Sequence, residues 1–358
     1  MVNYDLNQFM DPIQYSQFSQ YVLGIDIGGT QTNCAIAGTD TGTPQLLFSL
    51  TFKTQHLDSV HPAIKKTLRY AKDHHDIRVS SAGIGAAGIV SPQHDYATLT
   101  NVSWNLSSDE VLKATSLSRV HIINDFQALG FGINFLSEKN ATDLHIIRAR
   151  DSETSDRRLP RALLGAGTGL GKSLLIYDDQ KQLFIPQSSE GGHADIPVHS
   201  LQELELLQYI QTEYQITEPI TYEELLSGRG IEHIYQYLYR QDQSNTSTLH
   251  DEILNSIDKP AVISQHRATD PLCRHTFDLF TKIYARCAKN FVLDTMAQGG
   301  LYIAGGIAIK NPDIFSSDVF INEFHHAYRR QDMLHTIPIF LVENYDVSLY
   351  GACFAAIP

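Results

Sequence analysis

The sequence predicts a two-domain α/β protein with mixed sheets, and three observations carry that reading. Its 358 residues exceed what one hydrophobic core usually serves. Strands alternate with helices along the chain, the pattern of helices packed on a sheet. A unit of apolar strand, glycine turn and apolar strand occurs at Val22–Gly38 and again at Ala162–Ile176, so the chain begins a second time. A 42% share of hydrophobic residues supplies a core for each half.

In the first half, Val22, Leu23 and Ile25 form an apolar run, Gly28 and Gly29 a turn, and Cys34 to Ala37 a second apolar run, together a β-hairpin. Paired glycines admit positive φ and let backbone N–H groups approach an anion. Asp26, just before them, places a carboxylate where a phosphate-bound cation would sit. The same spelling also serves as the ordinary first turn of a sheet. Leu46 to Phe52 continues the meander, His61 to His74 reads as a helix, and Val79 to Val90 as a strand ending in small residues. Leu99 to Leu106 carries the only tryptophan, Trp104. Val120 to Ile123 is a buried strand running into Asn124-Asp125, and Phe126 to Phe135 has helical spacing.

The second half opens after the charged loop Asp151 to Arg158 with Ala162 to Ile176, ALLGAGTGLGKSLLI. Counting excludes two phosphate-site readings. A P-loop ending at Gly171-Lys172-Ser173 needs a glycine where Ala166 stands, and a dinucleotide fingerprint from Gly165 needs one where Leu170 stands. Both also require a helix, whereas Ser173 to Tyr177 runs straight into the turn Asp178-Asp179. What remains is a glycine hairpin with Thr168 at its tip. Leu201 to Tyr214 and Tyr222 to Tyr239 read as helices, the latter opened by a Thr221/Glu224 capping box. Gln241 to His250 is a polar loop and His275 to Gln298 one long helix. Leu301 to Ile307 is a strand running into Gly305-Gly306, Ile337 to Val342 a strand, and Val347 to Ala356 a small-residue helix.

A net charge of −13 leaves no basic excess for nonspecific binding to nucleic acid or an anionic membrane. The four cysteines are far apart and form no CxxC pair, so neither zinc nor a disulfide framework is expected. The first twenty residues lack a signal-peptide pattern, which points to a soluble, cytoplasmic protein. Asn124-Asp125 sits where α/β proteins expose ligand groups; one of the two would cap the following helix, leaving the other for a ligand. Glu190-Gly191-Gly192-His193 lets a carboxylate and an imidazole converge on a small polar ligand, and HExxH spacing for metal is absent. Asp73-His74-His75-Asp76 reads as solvated surface, and Glu223 as a first-turn carboxylate.

The segments LGIDIGGTQTN, TNVSWNLS, INDFQALG, GAGTGLG, SEGGHADIP, YEELLSGRGI and YIAGGI, in that order from about Tyr21 onward, resemble bacterial-type glucokinases of the actin-like sugar kinase superfamily. The resemblance implies two ribonuclease-H-like (actin-like ATPase) domains with mixed sheets flanking a central cleft. Residues 1–20 would be an N-terminal extension, 21–133 plus about 345–358 the smaller α/β domain, and 134–344 the larger. It implies phosphorylation of glucose to glucose 6-phosphate with ATP and Mg²⁺, in a homodimer. Carried over residue by residue, Ile25, Asp26, Ile27, Gly28, Gly29 and Thr30, with Gly167, Thr168 and Gly169, would bind the phosphates. Gly305 and Gly306 would lie near the nucleoside. Asp26 would hold Mg²⁺ through water, and Asn124, Asp125, Glu190, His193 and Glu223 the sugar hydroxyls, with Asp125 as general base. Relatives commonly carry proline where this chain has Gly88, which implies a softer wall there, and Arg229 has no assigned part. An amino-sugar kinase of the repressor-related branch would usually carry a cysteine-rich zinc motif after EGGH, and none is present. A noncatalytic sugar sensor would need the base or a phosphate loop lost, and Asp26, Thr168 and Asp125 are all there.

Overall fold

The computed structural model describes residues 3–40, 42–100, 102–150, 157–241 and 248–357. Most of the polar loops expected at Asp151–Arg158 and Gln241–His250 lies outside the described residues. The chain divides into two compact units, Met1–Asn140 with Tyr177–Ser188 and Asn344–Pro358, and Ala141–Ile176 with Ser189–Glu343.

The first unit is built on strands β1 (Asp5–Gln8), β2 (Gln20–Ile27), β3 (Gln31–Thr39), β4 (Gln45–Lys53), β5 (Ser81–Ala86), β6 (Gly88–Val90), β7 (Tyr96–Leu99), β8 (Leu106–Ser107) and β9 (Arg119–Asn124). Its main sheet has the order β1-β4-β3-β2-β5-β9. β2, β3 and β4 form an antiparallel meander, while β5 and β9 run parallel to β2. Near-continuous apolar runs fit strands covered on both faces, and Leu23, Ile25, Cys34 and Ile36 are fully buried. The leader is part of this sheet. β1 pairs antiparallel with β4, the Tyr15 hydroxyl donates to the Leu47 carbonyl at 3.0 Å, and Phe18 is buried.

The single strand expected over Val79–Val90 is broken in two. β5 stays in the main sheet, and β6 pairs with β7 in a separate three-stranded sheet, β6-β7-β8. Gly88 is the corner, at φ 152°, and a Cβ there would lie 2.0 Å from the Thr98 carbonyl oxygen. It is a tight backbone crossing and not a softened wall. Helix α1 (His61–His75) ends at Asp76 in the left-handed conformation, α2 covers Ser108–Ala114, and α3 covers Asp125–Gly132. In the polar run that closes α1, His75 is less solvated than the sequence suggests, its ring packing 4.9 Å from Tyr15 and 5.3 Å from Phe48.

The second unit centres on a sheet of order β10-β15-β14-β11-β12-β13, where β10 is Leu144–Arg148, β11 Arg161–Ala166, β12 Leu170–Asp178, β13 Leu183–Ser189, β14 Leu301–Ala304 and β15 Ile339–Val342; the end of β12 and nearly all of β13 fall in the segment Tyr177–Ser188 counted with the first unit. β11 and β12 are the expected hairpin, in register Gly165↔Gly171 and Ala166↔Leu170. Parallel β14 lies on the other side of β11. Its helices are α4 (Leu201–Glu213), α5 (Gly228–Gln241), α6 (Thr248–Asn255), α7 (Lys259–His266), α8 (Pro271–Thr295), α9 (Gly306–Lys310), α10 (Pro312–Ser316), α11 (Asp318–His325) and α12 (Gln331–Thr336). The helix expected from Tyr222 does not start there. Tyr222–Glu224 is a single 3₁₀ turn, Thr221 makes no side-chain cap, and α5 begins at Gly228. α8 starts earlier than its apolar spacing suggests because Asp270 caps it, accepting from the Cys273 N–H at 2.8 Å. Around α8 the core gathers Phe280, Tyr284, Phe315, Phe320 and Phe324. Buried Arg286 is neutralised there by Glu203 and Glu323, at 2.9 and 3.0 Å.

The chain ends in α13 (Val347–Ala356), as expected from its small residues, and this helix returns to the first unit. Leu349, Cys353 and Ala356 pack against Val22, Ala35 and Ala37 on one face of the main sheet.

Candidate active site

In the first unit, the turn between β2 and β3 holds Gly28, Gly29 and Thr30. The Gly28 N–H donates to the Gln31 carbonyl at 2.9 Å, and Thr54 braces the turn from beside it. The Thr54 hydroxyl donates to the Gly28 carbonyl at 2.8 Å and its N–H to the Thr30 carbonyl at 2.9 Å. Neither Gly28 nor Gly29 takes positive φ, contrary to the sequence argument. At Gly28 a Cβ would lie 3.1 Å from the Gln31 carbonyl oxygen, so glycine lets the turn close tightly. Ile25 and Ile27 are buried in β2 and face the core, so any part they have in binding runs through their backbone.

Asp26, between them, is half-buried near the end of β2. Burial pushes its carboxyl above the ordinary range, against a hydrogen bond from the Ser348 hydroxyl of α13, 2.7 Å from Oδ2. Asp346 is pushed up too, by burial first and then by the charge of Asp26. Two carboxylates that repel each other in a partly desolvated place are a donor set a hard cation relieves. Among the described residues no three His, Cys, Asp or Glu side chains converge, so a cation held there would take most of its coordination from water.

Asn124 and Asp125 stand where β9 turns into α3. Asn124 is the cap: its Oδ1 accepts from the Phe126 N–H at 2.9 Å, its own N–H donates to Gln127, and its Nδ2 donates to the Gly88 carbonyl at 3.3 Å. The Asp125 carboxylate also accepts from the Phe126 N–H, at 2.9 Å. Both side chains therefore serve the helix start, where the sequence assigned that task to one.

In the second unit, Gly167, Thr168 and Gly169 form the tip between β11 and β12, closed by the Gly167 N–H donating to the Gly169 carbonyl at 2.8 Å. Nothing lies within 4 Å of where a Gly167 or Gly306 side chain would project. Gly305 differs from both. It sits at φ 93°, and a Cβ would lie 2.5 Å from the Ala166 carbonyl oxygen, so glycine is required for β14 to turn beside the hairpin.

Glu223 belongs to this hairpin. Its Oε2 accepts from the Leu170 N–H at 3.0 Å, and a side chain at Gly169 would strike that carboxylate. Arg229 now has a role. It pairs with Glu224 at 2.6 Å and stands 3.6 Å from Glu223, so the first turn of α5 clamps the acidic 3₁₀ turn. Glu190 and His193 are brought together by the turn between them, Nε2 to Oε2 3.9 Å, and both side chains are well exposed. Beneath that turn lies Lys172, the residue that gave the false P-loop match. It is buried in β12 with its ammonium 4.7 Å from the centre of the Tyr222 ring, and Gly191 lies directly over its stem. The sequence contained no signal for the parts of Ser348, Asp346, Thr54 or Lys172, because each acts on residues remote in the chain.

A model of the glucokinase family matches residues 23–357. The glucokinase of Synechocystis sp. is 32% identical over 351 residues, covering 92% of this chain and 96% of that protein. The glucokinase of Trichormus variabilis is 30% identical over 349 residues, covering 94% and 98%. Among solved structures, a glucokinase from an Antarctic psychrotroph superposes with a TM-score of 0.75 at 25% identity, covering 94% of this chain and 98% of that one. The glucokinase from Balamuthia mandrillaris, in complex with glucose, superposes with a TM-score of 0.78 at 24% identity, over 94% and 93%. The fold is the actin-like two-domain fold with mixed sheets.

Proposed function

The chain belongs to the glucokinase family, and on that premise we infer that it transfers the γ-phosphoryl group of ATP to the 6-hydroxyl of glucose, giving glucose 6-phosphate. The observation that carries this is the span of the family match, residues 23–357, which takes in both glycine turns and every candidate site residue. Phosphoryl transfer asks the protein for position and charge stabilisation more than covalent chemistry.

The glycine turns at Gly28–Thr30 and Gly167–Gly169 receive the phosphate oxygens, with the Thr168 hydroxyl as a further donor. Gly305 and Gly306 serve the nucleoside side. Mg²⁺, when bound, would neutralise charge on the phosphates, and Asp26 is the residue that would hold it, through water. Asn124, Glu190, His193 and Glu223 orient the sugar hydroxyls. Asp125 accepts the proton of the 6-hydroxyl as that oxygen attacks phosphorus, a positioned base contributing about 10²- to 10⁴-fold. Buried or charge-assisted partners left unpaired by a sugar lacking a hydroxyl account for selectivity. The chain carries no helix, among its described residues, long and apolar enough to cross a membrane. A cytoplasmic homodimer is the state this reading assigns to it.

The test is Asp125→Ala in a coupled assay with ATP and a panel of hexoses and amino sugars. Turnover should fall by at least about 10²-fold with ATP binding retained. Near-native turnover would remove Asp125 from the role of base. A preference for an amino sugar over glucose in the unmodified enzyme would overturn the substrate.

A further inference from the structure

We propose that Ser348 is a positioning residue for phosphoryl transfer: from the C-terminal helix it holds the Asp26 carboxylate in the orientation that receives the metal–nucleotide. The inference rests on the reading of Asp26 as the metal residue. Its ground is one contact between residues 322 positions apart, Ser348 Oγ to Asp26 Oδ2 at 2.7 Å. A serine within a helix commonly bonds back to the carbonyl one turn earlier. Ser348 instead donates across to β2. Among the described residues Asp26 Oδ1 takes no hydrogen bond, so one oxygen is tied to the scaffold and the other is left for the cation's water.

The scaffold behind that hydroxyl is tight. A Cβ on Gly351 of α13 would lie 1.7 Å from the Ala128 carbonyl oxygen of α3, and one on Gly132 of α3 would lie 1.9 Å from the Val347 carbonyl oxygen. α13 and α3 therefore pack backbone to backbone on both sides of Ser348, and Asp125 is the first residue of α3. The same helix that tethers Asp26 thus also seats the helix bearing the base. Among the described residues, the Ser348 hydroxyl is the side-chain donor to Asp26.

The experiment compares Ser348→Ala, Ser348→Thr and Asp26→Asn in the full chain, using the binding of Mn²⁺ to the enzyme–ADP complex, read by electron paramagnetic resonance, beside the Mg²⁺ dependence of turnover. Removing a residue that orients a metal ligand typically costs 10- to 100-fold in metal affinity, and because a water-mediated contact is looser we expect about 10-fold weaker Mn²⁺ binding for Ser348→Ala. Glucose affinity and the unfolding midpoint should stay unchanged, and Ser348→Thr should restore binding because it returns the hydroxyl. Ser348→Cys, of similar size but a poor donor, should repeat the loss, which keeps the test decisive if the alanine variant folds badly. Native Mn²⁺ binding in Ser348→Ala alongside weakened binding in Asp26→Asn would overturn the proposal alone. Native binding in Asp26→Asn would overturn both it and the metal role of Asp26.

Discussion

At the scale of single residues, placement in the fold decides which side chains are chemical and which are merely polar. Glu223 shows this best. Its carboxylate is committed to the Leu170 N–H of the second hairpin, with Arg229 nearby, so it ties that hairpin to the acidic 3₁₀ turn. His325 is a contrasting case, a titratable group with no part in the site. It is buried in α11, its Nε2 finds no partner among the described residues, its ring lies 3.8 Å from that of His335, and burial, Arg148 and His335 together bring its pKa down to about 4. A histidine held neutral in the folded state binds its proton more weakly there than in the unfolded chain, so its contribution to stability is intact above about pH 6.5 and is lost as pH falls from there toward 4. The loss should be on the order of 3 kcal/mol at the acid end of that window. Urea denaturation at a series of pH values should therefore give a flatter acid limb for His325→Gln than for the native protein. An unchanged limb would show that other groups set it.

At the scale of elements, the three glycine turns separate into those required by the backbone and those left open. Gly305 is strained by any side chain, through its φ of 93° and the Ala166 carbonyl, whereas Gly167 has free space around it. Gly305→Ala should lower stability by about 1–3 kcal/mol. Gly167→Ala should leave unfolding within about 0.5 kcal/mol of native and raise KM for ATP while KM for glucose holds. If Gly167→Ala leaves both KM values alone, the open tip does not receive phosphate. The split of the expected strand at Gly88 belongs to this scale as well. The apolar run from Val79 onward was legible in the sequence, but the point where it leaves one sheet for another depended on how closely Thr98 approaches.

At the scale of the whole molecule, the two larger hydrophobic cores among the described residues lie one around β2–β5 and the other around α8 with β11 and β14. Trp104, the only tryptophan, belongs to the first, its indole N–H donating to the Leu57 carbonyl at 3.0 Å. Most of the helix belongs to the second unit. Multidomain chains often depart from two-state unfolding. We expect the tryptophan emission shift and the loss of far-ultraviolet circular dichroism to have different urea midpoints. Coincident curves would show that the two cores melt as one.

The sequence by itself determined the α/β class, both glycine hairpins, the terminal helix and the family, because periodicity, glycine punctuation and motif order are local or strictly sequential properties. Local rules failed where a residue's partner was remote. The leader's place at the edge of the first sheet, the late start of α5 at Gly228, the capture of Glu223 by Leu170 and the tether from Ser348 to Asp26 were all decided by tertiary packing. A hydrogen bond between residues 322 apart is written in no window of the sequence, and only the close seating of α13 on β2 and α3 brings its donor and acceptor together.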